Sequence, residues 1–189
     1  MPANATSLEN AFDRAQGGNA AIRKAFFDAI RAGDVAAVTG TLQNHAGAAT
    51  WQEPFAPEDK PYAADDTPLM TAAHAKKADI VRILLQHGGE QTLDARNSRG
   101  YTALMYAAWQ GAEGVAEVLL WHGANTWIKS EHDQDADMLA RTRGHNDISR
   151  QIQNHRAKVD GPAAFMNGLS KDVPLPKPIT VHKRPPPAA

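Results

Sequence analysis

The residues best suited by type to do chemistry are His132, Asp133, Asp135 and Asp137, with His145 further along the chain. Alternating aspartates resemble the start of a calcium loop, which needs a glycine at its sixth position and a bidentate glutamate at its twelfth. Counting from Asp133, those places hold Met138 and Gly144, so the pattern fails at both points that shape such a loop. A zinc site from His132, His145 and one aspartate is chemically allowed, because imidazole and carboxylate both bind zinc. On that reading the chain would be a metal-dependent protein or enzyme. Nothing else competes: there is no glycine-rich phosphate loop, no GxSxG elbow and no HExxH. The absence of cysteine removes disulfides, thiolate ligands and cysteine nucleophiles together.

Composition narrows the classes further. A chain of 189 residues with a formal net charge of -1 can bury one ordinary core and carries no global basic field for nucleic acid or anionic lipid. No stretch approaches the roughly 18 apolar residues that span a bilayer, and the N-terminus lacks a basic start followed by an apolar run. The expectation is a soluble, cytoplasmic protein with no nucleic-acid or membrane partner, although export without a signal stays open.

The elements that must hold these residues come from an internal repeat. Thr67-Pro-Leu-Met-Thr-Ala-Ala73 returns as Thr102-Ala-Leu-Met-Tyr-Ala-Ala108, and Ile80-Val-Arg-Ile-Leu-Leu-Gln-His-Gly-Gly89 returns as Val115-Ala-Glu-Val-Leu-Leu-Trp-His-Gly-Ala124. Both pairs share one offset of about 35 residues. Thr67 and Thr102 suit helix N-caps, and Pro68 suits the first helical position, where its missing N–H costs nothing. Leu69, Ala72 and Ala73, with Leu104, Ala107 and Ala108, make one apolar face whose alanines permit close approach. Ile80, Ile83 and Leu84, with Val115, Val118 and Leu119, mark the stripe of a second helix. Gly88 and Gly123 suit left-handed ends, and His87 and His122 just before them read as structural, at the negative helix end.

Thr-Pro-Leu-x-x-Ala-Ala followed by Leu-Leu-x-x-Gly-Ala resembles the ankyrin repeat. The resemblance implies an all-α solenoid of stacked helix-turn-helix units. Ala29-Ile-Arg-Ala-Gly33-Asp34 with Val35, Val38 and Leu42 resembles a first unit. Ala140-Arg-Thr-Arg-Gly144-His145 with Ile148 and Ile152 resembles a last. Four units over 20–155 are expected (20–45, 65–95, 100–128 and 133–155), with polar ends that face water. Residues 1–19 form an N-terminal extension with a short helix expected over Ser7–Ala15. Residues 43–66 are an irregular insertion, and 156–189 a proline-rich basic tail.

Several positions depart from the family pattern. Its histidine after Thr-Pro-Leu is Met70, Met105 and Met138 here, so the polar role that ties repeats together must be filled otherwise. The turn glycine survives only at Gly100, with Asp65 and Asp133 in its place elsewhere, and Asp137 falls where a core leucine is expected. In the insertion, Pro54, Pro57 and Pro61 exclude a long helix. Trp51, Phe55 and Tyr62 either fold back over the first repeats or join a binding surface, and the packing role is preferred because long unsupported loops are uncommon. The tail's prolines and lysines read as a solvated or surface-laid extension.

The ankyrin register puts the His132–Asp137 segment on a turn and a helix start, where acidic side chains stabilise the helix. Metal binding and catalysis there are not the favoured reading, and no cofactor is expected. In ankyrin proteins, as the resemblance implies, partners lie on the concave face of turn tips and first helices. By register this puts Ser98, Arg99 and Tyr101 on one turn tip and Glu131, His132 and Gln134 on the next. The first-helix column is Arg31, His74, Trp109 and Thr142, with Ala32, Ala75, Gln110 and Arg143 beside it. Tyr101 and Trp109 are candidate hot spots beside Arg99; alternatively, Trp109 packs on the insertion or the tail. Trp121 and Trp127 fall on an outer helix side and a linker. The expected function is an adaptor, inhibitor or immunity-type binder, or scaffold that holds another protein as a monomer. The rivals are the His132–His145 metal site and a structural subunit that buries its aromatics by self-association.

Overall fold

The structure, a computed structural model, describes residues 21–45, 47–53 and 65–166, with side chains up to 159. Helical residues 21–32 (α1) lead to α2 (Val35–Asn44), α3 (Pro68–His74), α4 (Ala78–Gln86), α5 (Ala103–Gln110), α6 (Glu113–Trp121), α7 (Ala136–Thr142) and α8 (Asn146–Met166). Consecutive helices pair into four hairpins, and no strand occurs among the described residues. Helices α3, α5 and α7 pack side by side as one layer. Helices α2, α4, α6 and α8 follow one another in a second. This is the all-α solenoid expected from the repeat.

The helix starts follow from side-chain chemistry. Thr67, Thr102 and Asp135 each hold an extended backbone and accept the N–H of Met70, Met105 and Met138 respectively, satisfying a donor that the first helical turn leaves orphaned. Pro68 opens α3 as expected. Between the helices of each hairpin the chain turns through a left-handed residue: Gly33, Lys76, Gly111 and Gly144. At Gly111 a side chain is excluded twice over, by φ of 72° and by the His145 ring, whose atoms would lie 2.5–2.8 Å from an added Cβ.

The turn tips share a second left-handed position, occupied by Asp65 (φ 70°), Gly100 (φ 74°) and Asp133 (φ 58°). The two aspartates therefore do take the place of the turn glycine. Aspartate tolerates this conformation better than most residues, and Asp65 also uses its carboxylate, accepting the Ser98 N–H of the next turn at 2.8 Å.

Packing runs in columns along the stack. Leu69, Leu104, Ala72, Ala107 and Ala140 are fully buried between inner helices, while Ile80, Val115 and Ile148, then Leu84, Leu119 and Ile152, line up through the outer layer. Asp137, where the repeat calls for leucine, is buried and accepts from Ser149 Oγ and Gln153 Nε2 of α8, so the last hairpin is closed by polar contacts instead. Helix α8 continues past residue 155 to Met166.

The insertion is pinned at both ends. Glu53 and Asp65 lie where the chain leaves and re-enters. Glu53 N–H donates to the Asp66 carbonyl and Asp65 N–H to the Glu53 carbonyl, at 2.9 and 3.2 Å. Trp51 packs edge-on against Phe26 of α1 with ring centroids 5.6 Å apart, and Arg23 lies over its ring. Trp51 thus takes the packing role; Phe55 and Tyr62 lie outside the described residues, as do the N-terminal helix expected over Ser7–Ala15 and residues 167–189 of the tail.

Candidate functional site

The inner layer and turn tips carry the residues singled out from the sequence, and the structure sorts them into three groups. The first is a tie between α1 and the insertion. Arg31 pairs with Asp28 at 2.7 Å and with Glu53, whose side chain is buried and also accepts from Thr71 Oγ1. Arg31 is therefore committed to holding the first hairpin against the second, because a buried carboxylate requires a partner.

The second group is an aromatic stack on α3 and α5. His74 meets the Tyr106 ring edge-on at 5.5 Å, and Tyr106 in turn lies 5.5 Å from Tyr101. Tyr106 was not picked out from the sequence, yet it organises this part of the face. Its hydroxyl donates to Asp66 Oδ1 at 3.2 Å and accepts from Asn97 Nδ2 at 3.1 Å. Asn97 Nδ2 also donates to Asp66 Oδ1 at 2.7 Å, while its Oδ1 accepts the N–H groups of Arg99 and Tyr101. One buried amide thus sets the turn that presents Ser98, Arg99 and Tyr101, and ties it to the preceding repeat. This is the polar role left open by the missing histidines. Met70 acts only within its own repeat, accepting the Thr67 N–H on its thioether at 3.4 Å and so closing the start of α3.

Burial of Asp66 raises its pKa from 3.8 to about 6, against the lowering effect of the hydrogen bonds from Asn97 and Tyr106; Asp65 adds to the rise and Arg31 opposes it. Burial, helped by the neighbouring Asp66, likewise pushes the Tyr106 phenol upward.

The third group is Trp109 with Arg143. The guanidinium of Arg143, just past the end of α7, lies over the Trp109 ring 3.3 Å from its centroid. Gln110 is half-buried beside it, and Thr142 is exposed with its hydroxyl bonded to the Met138 carbonyl. At the last turn tip Glu131 and His132 are exposed, and the Glu131 N–H donates to the Arg99 carbonyl at 3.1 Å, locking adjacent tips together.

The His132–His145 segment is arranged as helix-capping structure. Asp135 caps α7 and pairs with Arg156 at 3.0 Å, Asp137 binds α8, Asp133 pairs with Lys129 at 2.9 Å, and His145 packs on Gly111. Among the described residues no three His, Asp or Glu side chains gather into a group able to hold a metal. Away from this face, His87 Nδ1 donates to the Ile83 carbonyl at 2.9 Å and His122 lies 3.4 Å from Glu90, in keeping with their structural reading. Trp127 lies under Arg156 at 3.9 Å, and Trp121 is 87% exposed on the outer layer. Among the described residues no helix is long and apolar enough to cross a membrane.

Comparison with known proteins agrees with this architecture. Residues 26–130 match the family model described as ankyrin repeats in three copies, which takes in the first three hairpins. The chain is 35% identical over 88 residues to the probable E3 ubiquitin-protein ligase XBOS34 of Oryza sativa subsp. japonica, covering 46% of this chain and 17% of that protein. It is 39% identical over 59 residues to the ankyrin repeat-containing protein ITN1 of Arabidopsis thaliana, covering 31% of this chain and 10% of that one. The chain thus spans less than a fifth of the length of either relative.

Proposed function

The chain belongs to the ankyrin-repeat family, and on that premise we propose that it is a protein-interaction module whose inner, concave face holds a partner protein. An adaptor, an inhibitor or immunity-type binder, and a scaffold all fit this reading. The observation that carries it is the partly exposed aromatic surface on α5 and its turn, where Tyr101 and Trp109 pack against the core and are flanked by Arg99 and Arg143. Such aromatic and arginine residues dominate binding energy where they occur at interfaces. Ser98, Gln110, Glu131 and His132 supply a polar rim, His74 supports the stack from behind, and Arg31 contributes through Glu53.

The ligase activity in the rice relative's name is not proposed for this chain, since the similarity covers 17% of that protein. The proposed place of action is the cytoplasm, in keeping with a cysteine-free chain.

Affinity capture from the native lysate tests the proposal. Wild-type protein is expected to retain a partner that a folded Tyr101→Ala/Trp109→Ala variant loses. Equal recovery by both would move the contact to the insertion or the tail. A second reading, self-association, is favoured by the 87% exposure of Trp121 and the 56% exposure of Trp127; a molecular mass that rises with concentration would support it.

A further inference from the structure

Arg143 differs from the arginines that are fixed by ion pairs, and it lies closer to its ring, at 3.3 Å, than Arg23 does to Trp51 at 5.3 Å. Arg31, Arg82, Arg150 and Arg156 each meet a carboxylate of this chain. Arg143 is held instead by the face of Trp109, and among the described residues no acceptor or carboxylate meets its N–H groups. A guanidinium stacked flat on an indole is fixed in orientation while its donor edge remains directed outward. That edge matches a carboxylate bidentately, and the ordering cost of the arginine is already met by the ring. Lys76, at the matching end of α3, and Arg141 on α7 are both exposed and add positive charge along the same ends of the inner helices. The nearby acids Asp79 and Asp147 are already paired, to Arg82 and Arg150.

We propose that the Trp109–Arg143 stack recognises an aspartate or glutamate side chain, within an acidic segment of the partner protein laid across the ends of α3, α5 and α7. This rests on the concave-face reading and deepens it. Nucleic acid fits less well, because a phosphate backbone needs an extended run of basic side chains, whereas the chain has no net positive charge and the stack offers one oriented guanidinium suited to a single carboxylate.

The test is a titration of the isotope-labelled full chain with an oligo-glutamate peptide, with oligo-glutamine and with oligouridine RNA. The indole N–H resonance of Trp109, identified by its loss in Trp109→Phe, is the reporter. Oligo-glutamate is expected to shift it, oligo-glutamine to leave it still, and the Trp121 and Trp127 indoles to stay in place. Arg143→Glu, which lies at an exposed position, is expected to weaken the response about tenfold or more, and Arg143→Lys to weaken it several-fold because the bidentate fork is lost. No response to oligo-glutamate, an equal response in Arg143→Glu, or tighter binding of the RNA would each overturn the proposal. If the peptide fails while the Tyr101→Ala/Trp109→Ala variant still loses its captured partner, only the acidic preference falls. If both fail, the concave face itself is wrong.

Discussion

Replacing Asn97 with alanine is expected to lower the free energy of unfolding by roughly 3 kcal/mol. The side chain is 5% exposed and makes four hydrogen bonds: two donated, to Asp66 and Tyr106, and two accepted, from the Arg99 and Tyr101 backbone. Alanine would leave two backbone N–H groups and a buried carboxylate short of partners, and each buried group left unsatisfied costs about 1–3 kcal/mol. The loss is less than additive, since the turn can open and admit water. Because Asn97 joins the turn of one repeat to the turn before it, the variant should also loosen the presentation of Tyr101. Urea unfolding of wild type, Asn97→Ala and Ser98→Ala separates the effects, with the exposed Ser98→Ala expected to cost well under half as much. A loss below about 1 kcal/mol for Asn97→Ala would mean that the buried network contributes little.

The second large effect is on pH dependence. The folded-state pKa of Asp66 lies at about 6, above its ordinary 3.8, chiefly because of burial. The native state therefore binds the proton more tightly than the unfolded chain does. The stability this supplies is fully present below the unfolded pKa and is lost as pH rises through about 6. The rise corresponds to roughly 3 kcal/mol between the two protonation states. Asp66→Asn keeps an oxygen to accept from Asn97 and Tyr106 while removing the charge. It is expected to match wild type near pH 4 and to exceed it by roughly 2 kcal/mol at pH 7. Unfolding midpoints at the two pH values check this. A difference between the variants that does not grow with pH would show that Asp66 is charged in the fold at little cost.

Much of the fold was legible because its signals are local. Thr67, Pro68 and Thr102 mark helix starts by residue type, Gly88 and Gly123 mark ends, and the columns through Leu104 and Leu119 follow from helical periodicity. The substitution of Asp65 and Asp133 for the turn glycine could be read by register, since aspartate is among the residues that tolerate the left-handed region. What could not be read were contacts between repeats. The bonds from Asp66 to Asn97 and to Tyr106 join residues 31 and 40 positions apart. Periodicity reports which face is apolar and is silent on polar groups that meet across it. Tyr106 gave one signal, a polar-tipped aromatic where the previous repeat has Thr71, and its meaning depended on Asp66 lying beneath it. The sequence alone leaves the seat of Trp109 open between the insertion, the tail and a partner. Its neighbour is Arg143, which stands in the adjoining column of the next repeat. Arg31 was legible as a column member, whereas its commitment to Glu53 depends on how the insertion leaves the first hairpin.

The alternating aspartates show the converse case, a pattern with chemical suggestion and a structural outcome. Asp135 caps a helix, Asp137 closes the last hairpin and Asp133 turns the chain. Each stands where a repeat needs a polar group, so their spacing follows from the turn and helix start they build.

The claim that the inner face holds the partner is tested most directly by a photo-crosslinking residue placed at Gln110 on α5 and, separately, at Glu117 on the outer helix α6. Both are irradiated with the captured partner present. An adduct with the partner from Gln110 and none from Glu117 is the expected result. An adduct from Glu117 alone would contradict the account and place the partner on the outer layer, where Trp121 lies exposed.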